Sequence, residues 1–583
     1  LTNWQRSFQE AVGGRHAQYF DQRGWLYFTR ESYDLFYPSY GDTWPGFQGA
    51  AGFTYEQWGS GPASVASLRP NGDTVTLAFR IDRHTVTGLS TVETAVDQAL
   101  KLRQELQQYY QRARKGRKTR YQSYLIRPTA NPARVAALCT LLDRNQIQYG
   151  YVDQNLSRSL SGYSYRQGVT QTVSPRKGDL VVPVAQTQGH LVQALFEPEP
   201  KLSDSLTYDL TAWAIPFAYN LEAWALPNTV NYTSQTPDKQ APALADSLPY
   251  AYLLRWGDVA QARFVSQALQ AKLVLRYATE AFEVGGVSYA PGTILLARSD
   301  QQAGAARRLQ KLLNNTPVQL VPVQTGKVRS GRDLGSSSYR LIRLGRIAML
   351  WGPGMSETAL GAVWHTLEEV LGYPVELIGT DYLSNIDLSD YQMLILPNGR
   401  YSRWDSELLT YARQGGRILA MERALSLFTQ AREGQDATAL AKAVQKRRRT
   451  PGIKPPERGT GQRRYGDRVR DGMRKAMPGA IYQVNLDTTH PLAFGVASPY
   501  ALLKQNRTVY PALDTGWNVG TITSTKPVSG FSGSALDGVF KGSLAFGTEN
   551  YGRGELIYFA ESPVFRGFWH SGMLLFANAL FFH

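Results

Sequence analysis

The sequence predicts a multi-domain α/β protein, on three observations. From Arg346 onward, apolar strand-like runs alternate with amphipathic helical stretches, the pattern of a parallel sheet covered on both faces. Between 120 and 340, one order of elements occurs twice, opening at Tyr124 and again at Tyr252, 128 positions on. The length of 583 residues, 43% of them hydrophobic and 11% aromatic, exceeds what one core can organise.

Residues 1–115 read as a first unit. Trp4, Phe8 and Val12 fall on one face of a helix that runs into Gly13-Gly14. Trp25-Leu26-Tyr27-Phe28 predicts a strand, followed by a loop from Tyr33 to Gly49. Gly52–Gln57 predicts another strand, closed by the turn Gly59-Ser60-Gly61-Pro62. Thr74–Ile81 alternates strongly and predicts a third. Thr91–Tyr110 predicts a long amphipathic helix opened by Ser90/Thr91, and the basic stretch Arg112–Arg120 is the candidate boundary.

Residues 116–340 read as a duplicated accessory region. The first copy runs Tyr124-Leu125-Ile126-Arg127, a helix over Ala133–Arg144, Gln148–Val152, then Lys177-Gly178-Asp179 and an aliphatic strand. The second runs Tyr252-Leu253-Leu254-Arg255, a helix over Val259–Gln270, Lys272–Tyr277, then Pro291-Gly292-Thr293 and an aliphatic strand. The aromatic segment Tyr208–Phe217 lies between them.

Residues 341–583 read as a doubly wound domain. Strands are expected at Arg346–Gly352, Val375–Gly379, Met393–Pro397 and Arg417–Met421, with helices at Glu357–Leu371 and Ser406–Gln414. A basic insertion, about 435–478, interrupts it. The chain resumes at Ala480–Leu486 and ends with the strand Glu555–Ala560 and a helix over Gly572–Phe581.

The net charge is +16, and residues 442–475 hold thirteen Lys/Arg against three acids, so this stretch supplies +10 of it. It has no interleaved aromatic platform and no nucleic-acid-binding signature. A solvated insertion is expected, with contact to an anionic surface as the alternative and no nucleic acid as partner. No apolar run reaches the length of a transmembrane helix. The lone cysteine, Cys139, excludes an internal disulfide and sits in an apolar helical run, where a buried thiol is expected. A first residue Leu1, without a signal segment, fits a processed or cleaved product.

Glu56 is the first candidate site residue. A glutamate in an apolar strand is costly to bury unless it is paired or functional, and burial would raise its pKa toward that of a general base. Its surroundings, Asp34–Asp42, Pro45, Gly49 and Gly52–Gln57, resemble the last catalytic strand of zinc carboxypeptidases of the carboxypeptidase A family. Helix Thr91–Tyr110, the Tyr208–Pro216 segment, Val484–Leu492 and Phe565–Trp569 also follow the layout of a bacterial subgroup. The resemblance implies that 1–115 is the tail of a carboxypeptidase-like mixed sheet. It further implies zinc as cofactor, a peptide or protein substrate cut at its C-terminal bond, Glu56 as general base, Tyr40 or Tyr37 contacting substrate, and a secreted, periplasmic or cell-surface setting. This sequence departs from the family at the zinc ligands, a His-x-x-Glu pair and a later His, all upstream of the base. Only His16 precedes Glu56, in a segment that looks like a helix surface. The pair His365/Glu368 lies in the last domain and lacks a third ligand. No zinc ligand is therefore assigned in this chain.

The last domain resembles class I glutamine-amidotransferase-like folds, whose nucleophile is a cysteine on the sharp turn after a central strand. The matching turn, Ala420-Met421-Glu422-Arg423, carries none. Glu422 is a candidate there, against a plain strand-end charge. His490, before Pro491, is expected to hydrogen-bond locally. Two functions remain open: a zinc metallocarboxypeptidase completed by an upstream zinc-bearing segment, or a non-catalytic binding or scaffold component of a cell-envelope assembly, with envelope proteins as partners.

Overall fold

In the computed structural model, residues 2–29, 35–57, 65–69, 71–116, 119–128, 132–202, 207, 209–234, 248–316, 318–343, 345–430, 436–449 and 464–582 are described. Tyr33, Asp34, the Gly59–Pro62 turn, Tyr208 and Arg463 lie outside them. The architecture is α/β and multi-domain: a helical first unit, two small antiparallel sheets, and a large mixed sheet.

The first unit differs most from expectation. It holds three long helices, Asn3–Gln22, Leu77–Asp97 and Ala99–Lys115, and its described strands form only a two-stranded hairpin, Ala66–Leu68 with Thr74–Thr76. Trp25–Phe28 forms no strand. Thr74–Ile81 is strand only to Thr76, because the Thr76 hydroxyl accepts from the Phe79 amide and caps a helix from Leu77. Gly52–Gln57 forms no strand and pairs with none among the described residues. Helix side chains hold this stretch and the turn before it: Gln5 Nε2 donates to the Gly46 and Ala50 carbonyls, and Gln9 Nε2 to that of Gly52. A Cβ at Gly52 would stand 1.7 Å from the Asp42 carbonyl oxygen, so only glycine fits there.

The duplication is explicit in the topology. The first sheet runs, in space, Gly150–Tyr151, Leu180–Pro183, Ser123–Ile126, Ala223–Leu226, and then Leu160–Ser164 and Val169–Val173. The second runs Arg276–Ala278, Ile294–Ala297, Ala251–Leu254, Val321–Val323 in the same antiparallel sense, with Tyr339–Leu341 added beside Arg276–Ala278. Helices Pro132–Arg144 and Val259–Gln270 occupy equivalent places. Both copies turn on a glycine at φ +86°, Gly178 and Gly292. They diverge in charge. Arg127 makes a buried bidentate pair with Asp179, at 3.1 and 2.9 Å, whereas Arg255 stacks on Tyr289.

The last domain has five parallel strands in the spatial order Glu376–Gly379, Ile347–Trp351, Met393–Leu396, Arg417–Met421, Gly554–Phe559. This is the 2-1-3-4-5 winding of doubly wound sheets. Antiparallel strands extend it through Leu544–Tyr551, Trp517–Ile522, Gly479–Leu486 and Tyr500–Lys504. No described helix is long and apolar enough to cross a membrane. Of the basic insertion, Ala439–Arg449 and Arg468–Met473 are helical and 450–463 is outside the described residues.

One main core runs through all three regions, from Tyr37 through Tyr124, Leu254 and Met349 to Phe582. The C-terminal helix His570–Phe581 is buried from Ser571 to Phe581. Its Asn578 accepts from the Trp256 indole at 2.7 Å and donates to the Leu492 and Phe494 carbonyls, at 2.9 and 2.8 Å. Arg134, also buried, donates to the carbonyls of Gly257 (3.0 Å), Tyr219 (3.4 Å) and Gly495 (2.9 Å), tying both repeats to the last domain. Replacing Arg134 by Ala leaves these acceptors in a dry site. We expect a loss of at least about 3 kcal/mol in chemical denaturation, which Arg134→Lys does not restore because an ammonium cannot span three carbonyls.

Candidate functional site

Glu56 does not occupy a catalytic strand. Its side chain is exposed on a segment that forms no strand, on the wall of an open groove of about 580 Å³. Helices Asn3–Gln22 and Leu77–Asp97 contribute His16, Phe20, Phe79 and Arg83 to the groove, and Leu26–Thr29 and Arg69 complete its lining. His16 is wedged between elements instead of lying on a free helix surface. Its Nδ1 is 2.6 Å from Ser90 Oγ, its ring stands edge-on to Tyr55, and burial lowers its pKa. Arg83 lies 3.3 Å from the Phe79 ring centre and 4.3 Å from that of Trp25. Among the described residues no three His, Cys, Asp or Glu side chains come together as a metal site, so zinc has no fitting donor set there.

Tyr37 and Tyr40 are not at this groove. Tyr37 is buried, both rings pack with one another, and Tyr37 also packs on Trp213. Arg566 lies over the two tyrosine rings and makes a bidentate pair with Asp209. They join the first unit to the repeats and the last domain. His365 is exposed, and Glu368 accepts from the Val375 amide, closing its own helix end. His490 Nδ1 accepts from the Leu492 amide as the sequence led us to expect. Cys139 is buried.

A cluster of buried charged groups lies at the carboxyl ends of two neighbouring parallel strands of the last domain. Arg417–Met421 ends in Glu422, whose φ of +53° is left-handed, a backbone strain of about 1–3 kcal/mol for a residue with a side chain. Tyr510 donates to the Glu422 carbonyl at 2.8 Å and fixes the turn. The side chain is buried, and desolvation, followed by repulsion from Glu561, pushes its pKa up to about 8, against the pull of Lys504. Glu561 follows the adjacent strand Gly554–Phe559. It pairs with Lys504 at 2.5 Å and accepts from the Gln505 amide and Asn506 Nδ2, both residues of the pair being almost wholly buried. Burial raises the Glu561 pKa while the ammonium and these donors oppose the rise.

Glu422 thus stands on a sharp, left-handed turn after a central parallel strand, the place where the sequence led us to look for a nucleophile. A carboxyl held neutral near pH 7 donates a hydrogen bond and is a poor nucleophile. Lys504 and Glu561 were not singled out from the sequence. The available signal was a charged residue closing an apolar strand in each case, Ala501-Leu502-Leu503-Lys504 and Tyr558-Phe559-Ala560-Glu561.

No protein-family profile matches the chain, and no curated protein matches it. Among solved structures it is similar to a β-galactosidase from Bacillus circulans sp. alkalophilus, at 15% identity over 40% of this chain and 30% of that one, with TM-score 0.23. A second is a cold-adapted β-galactosidase from Rahnella sp. R3, at 14% identity over 40% and 31%, with TM-score 0.22. A third is a ThuA-like protein from Bacteroides uniformis, at 12% identity over 40% and 89%, with TM-score 0.24. The chain therefore spans about a third of the length of the two β-galactosidases. No carboxypeptidase is among the similar structures, which overturns the resemblance expected for the first unit. The helical build of residues 1–115 agrees with that correction.

The Glu422 environment sets a pH dependence. The native state holds this proton more tightly than the unfolded chain, so its stabilising effect is complete below the ordinary carboxyl pKa of about 4.5 and is lost as pH rises toward about 8. Glu422→Gln should remove this slope. Relative to the parent, the variant should gain up to about 4 kcal/mol between pH 5 and 8 in denaturant titrations.

Proposed function

We propose that this chain is a non-catalytic binding or scaffold component. The observation that carries the reading is Glu422, a buried acid on the left-handed turn where an amidotransferase-like domain would need a cysteine. The Lys504–Glu561 pair beside it has its hydrogen bonds filled by Gln505, Asn506 and the Thr508 carbonyl, the arrangement of a fixed structural network. The continuous core across three regions supports rigid presentation of surfaces over domain closure around a substrate.

The groove beside Glu56 is the surface we assign to a polypeptide ligand. Its mixture of aromatic rings, one carboxylate and the guanidiniums of Arg69 and Arg83 suits an extended chain bearing charges of both signs. Bound peptide is held there and not cut.

The test is turnover by the purified chain, with zinc added. Peptides of varied C-terminal residue are followed by mass spectrometry and glutamine hydrolysis by ammonia release, for the parent, Glu56→Gln and Glu422→Gln. Intact peptides and no ammonia in all three are expected. Peptide trimming that falls by more than about a hundredfold in Glu56→Gln, the size of a general-base contribution, would overturn the proposal and make Glu56 the base. Ammonia release lost in Glu422→Gln would overturn it as well.

A further inference from the structure

Helix Leu77–Asp97 is amphipathic and turned the wrong way for an isolated unit. Its buried residues are Arg83, Val86, Thr87, Ser90 and Thr94, mostly polar, packed toward helix Asn3–Gln22. Its outward face carries Leu77, Ile81, Leu89, Val92 and Val96, and Leu100 follows near the start of the next helix, each 47–76% exposed. A helix normally hides such a stripe. Val65, whose carbonyl accepts from the Leu77 amide, and Leu68 on the adjoining hairpin extend it, at 72% and 71% exposure.

The spacing of the row is symmetric under reversal. Leu77 and Leu100, Ile81 and Val96, Thr85 and Val92, Gly88 and Leu89 are each centred on the same point between 88 and 89. Two antiparallel copies related by a twofold axis at that point would bring each residue opposite its counterpart, the self-complementarity that an isologous dimer requires. Steps of four residues keep the row on one side of the helix, so two copies running nearly antiparallel can match along it. Gly88, with no atom within 4 Å of where a Cβ would stand, leaves room at the crossing point.

The area also fits. Eight such side chains, each worth roughly 100 Å² when fully buried and about two-thirds exposed here, offer roughly 500 Å² of apolar surface per copy. A standard interface takes about 800 Å² per partner, of which about 65% is apolar in homodimers.

We propose that the outward face of Leu77–Asp97, with Leu100 and the hairpin, is a dimerisation surface on which a second copy of this chain packs antiparallel about Gly88 and Leu89. The inference stands independently of whether the Glu56 groove binds or cuts peptide.

Light scattering and sedimentation at tens of micromolar test it. The 64.9 kDa chain should run at twice its mass. Ile81→Glu and Val92→Glu, both at exposed positions, should each return it to the monomer with an unchanged circular dichroism spectrum. In a second measurement, Gly88→Cys should cross-link into a covalent dimer under mild oxidation, since Cys139, the chain's one native thiol, is buried. Gln302→Cys, at an exposed position of the second repeat, should not. A monomeric parent would overturn the proposal and leave the face to another polypeptide, whether a separate protein or further sequence of a longer chain. A dimer that survives both glutamate variants would overturn it too, and a dimer that fails to cross-link at position 88 would overturn the antiparallel register.

Discussion

The helix His570–Phe581 has no solvent face, and the rest of the structure is arranged around that fact. A helix buried on all sides must be covered by several elements at once. Here the second repeat reaches it through Trp256, the first through Ala218, whose carbonyl accepts from Ser571, and the loop around Leu492–Phe494 through Asn578. Asn578 is the polar centre of this packing. Its amide has one acceptor and two donors engaged at no more than 2.9 Å, so a side chain that would be expensive to bury becomes a device that fixes register between regions. Arg134 does the same with three carbonyls, two of them adjacent to residues that Asn578 binds.

The same economy explains the Glu422 region. Two carboxyls follow neighbouring strands and one ammonium comes from the end of the edge strand Tyr500–Lys504, and only one carboxyl can be neutralised by the lysine. Glu561 takes Lys504 and the nearby amide donors, so burial, with Glu561 nearby, pushes the pKa of Glu422 up. The left-handed turn that would expose a nucleophile in an enzyme instead places an acid whose carbonyl is pinned by Tyr510.

The first unit is held differently. Its loops are fastened by side chains reaching across helices, Gln5 and Gln9 on one side, Tyr109 and Tyr110 on the other. Arg566, with Asp209 and the rings of Tyr37 and Tyr40, then fastens the unit to the remainder. These contacts bury part of its aromatic surface, and the apolar face of Leu77–Asp97 is turned outward.

The sequence by itself determined the parts in which local pattern and tertiary environment agree. The apolar runs Ile347–Trp351, Met393–Leu396 and Arg417–Met421 became parallel strands because a run apolar on both faces is stable only between two covering layers. The repeats were legible because each keeps its strand, helix and glycine turn in order. Glu422 was legible as a strand-end acid. The tertiary structure alone decided its burial, its pairing neighbours Lys504 and Glu561, which are 82 and 139 positions away by subtraction, and hence its protonation. It also decided the first unit. The alternation in Thr74–Ile81 fits a strand, but a cap at Thr76 and packing against Asn3–Gln22 made a helix of its second half. Glu56 was placed on a strand because its neighbours are apolar. A strand needs a partner, and whether one lies alongside is a property of the fold and not of the segment.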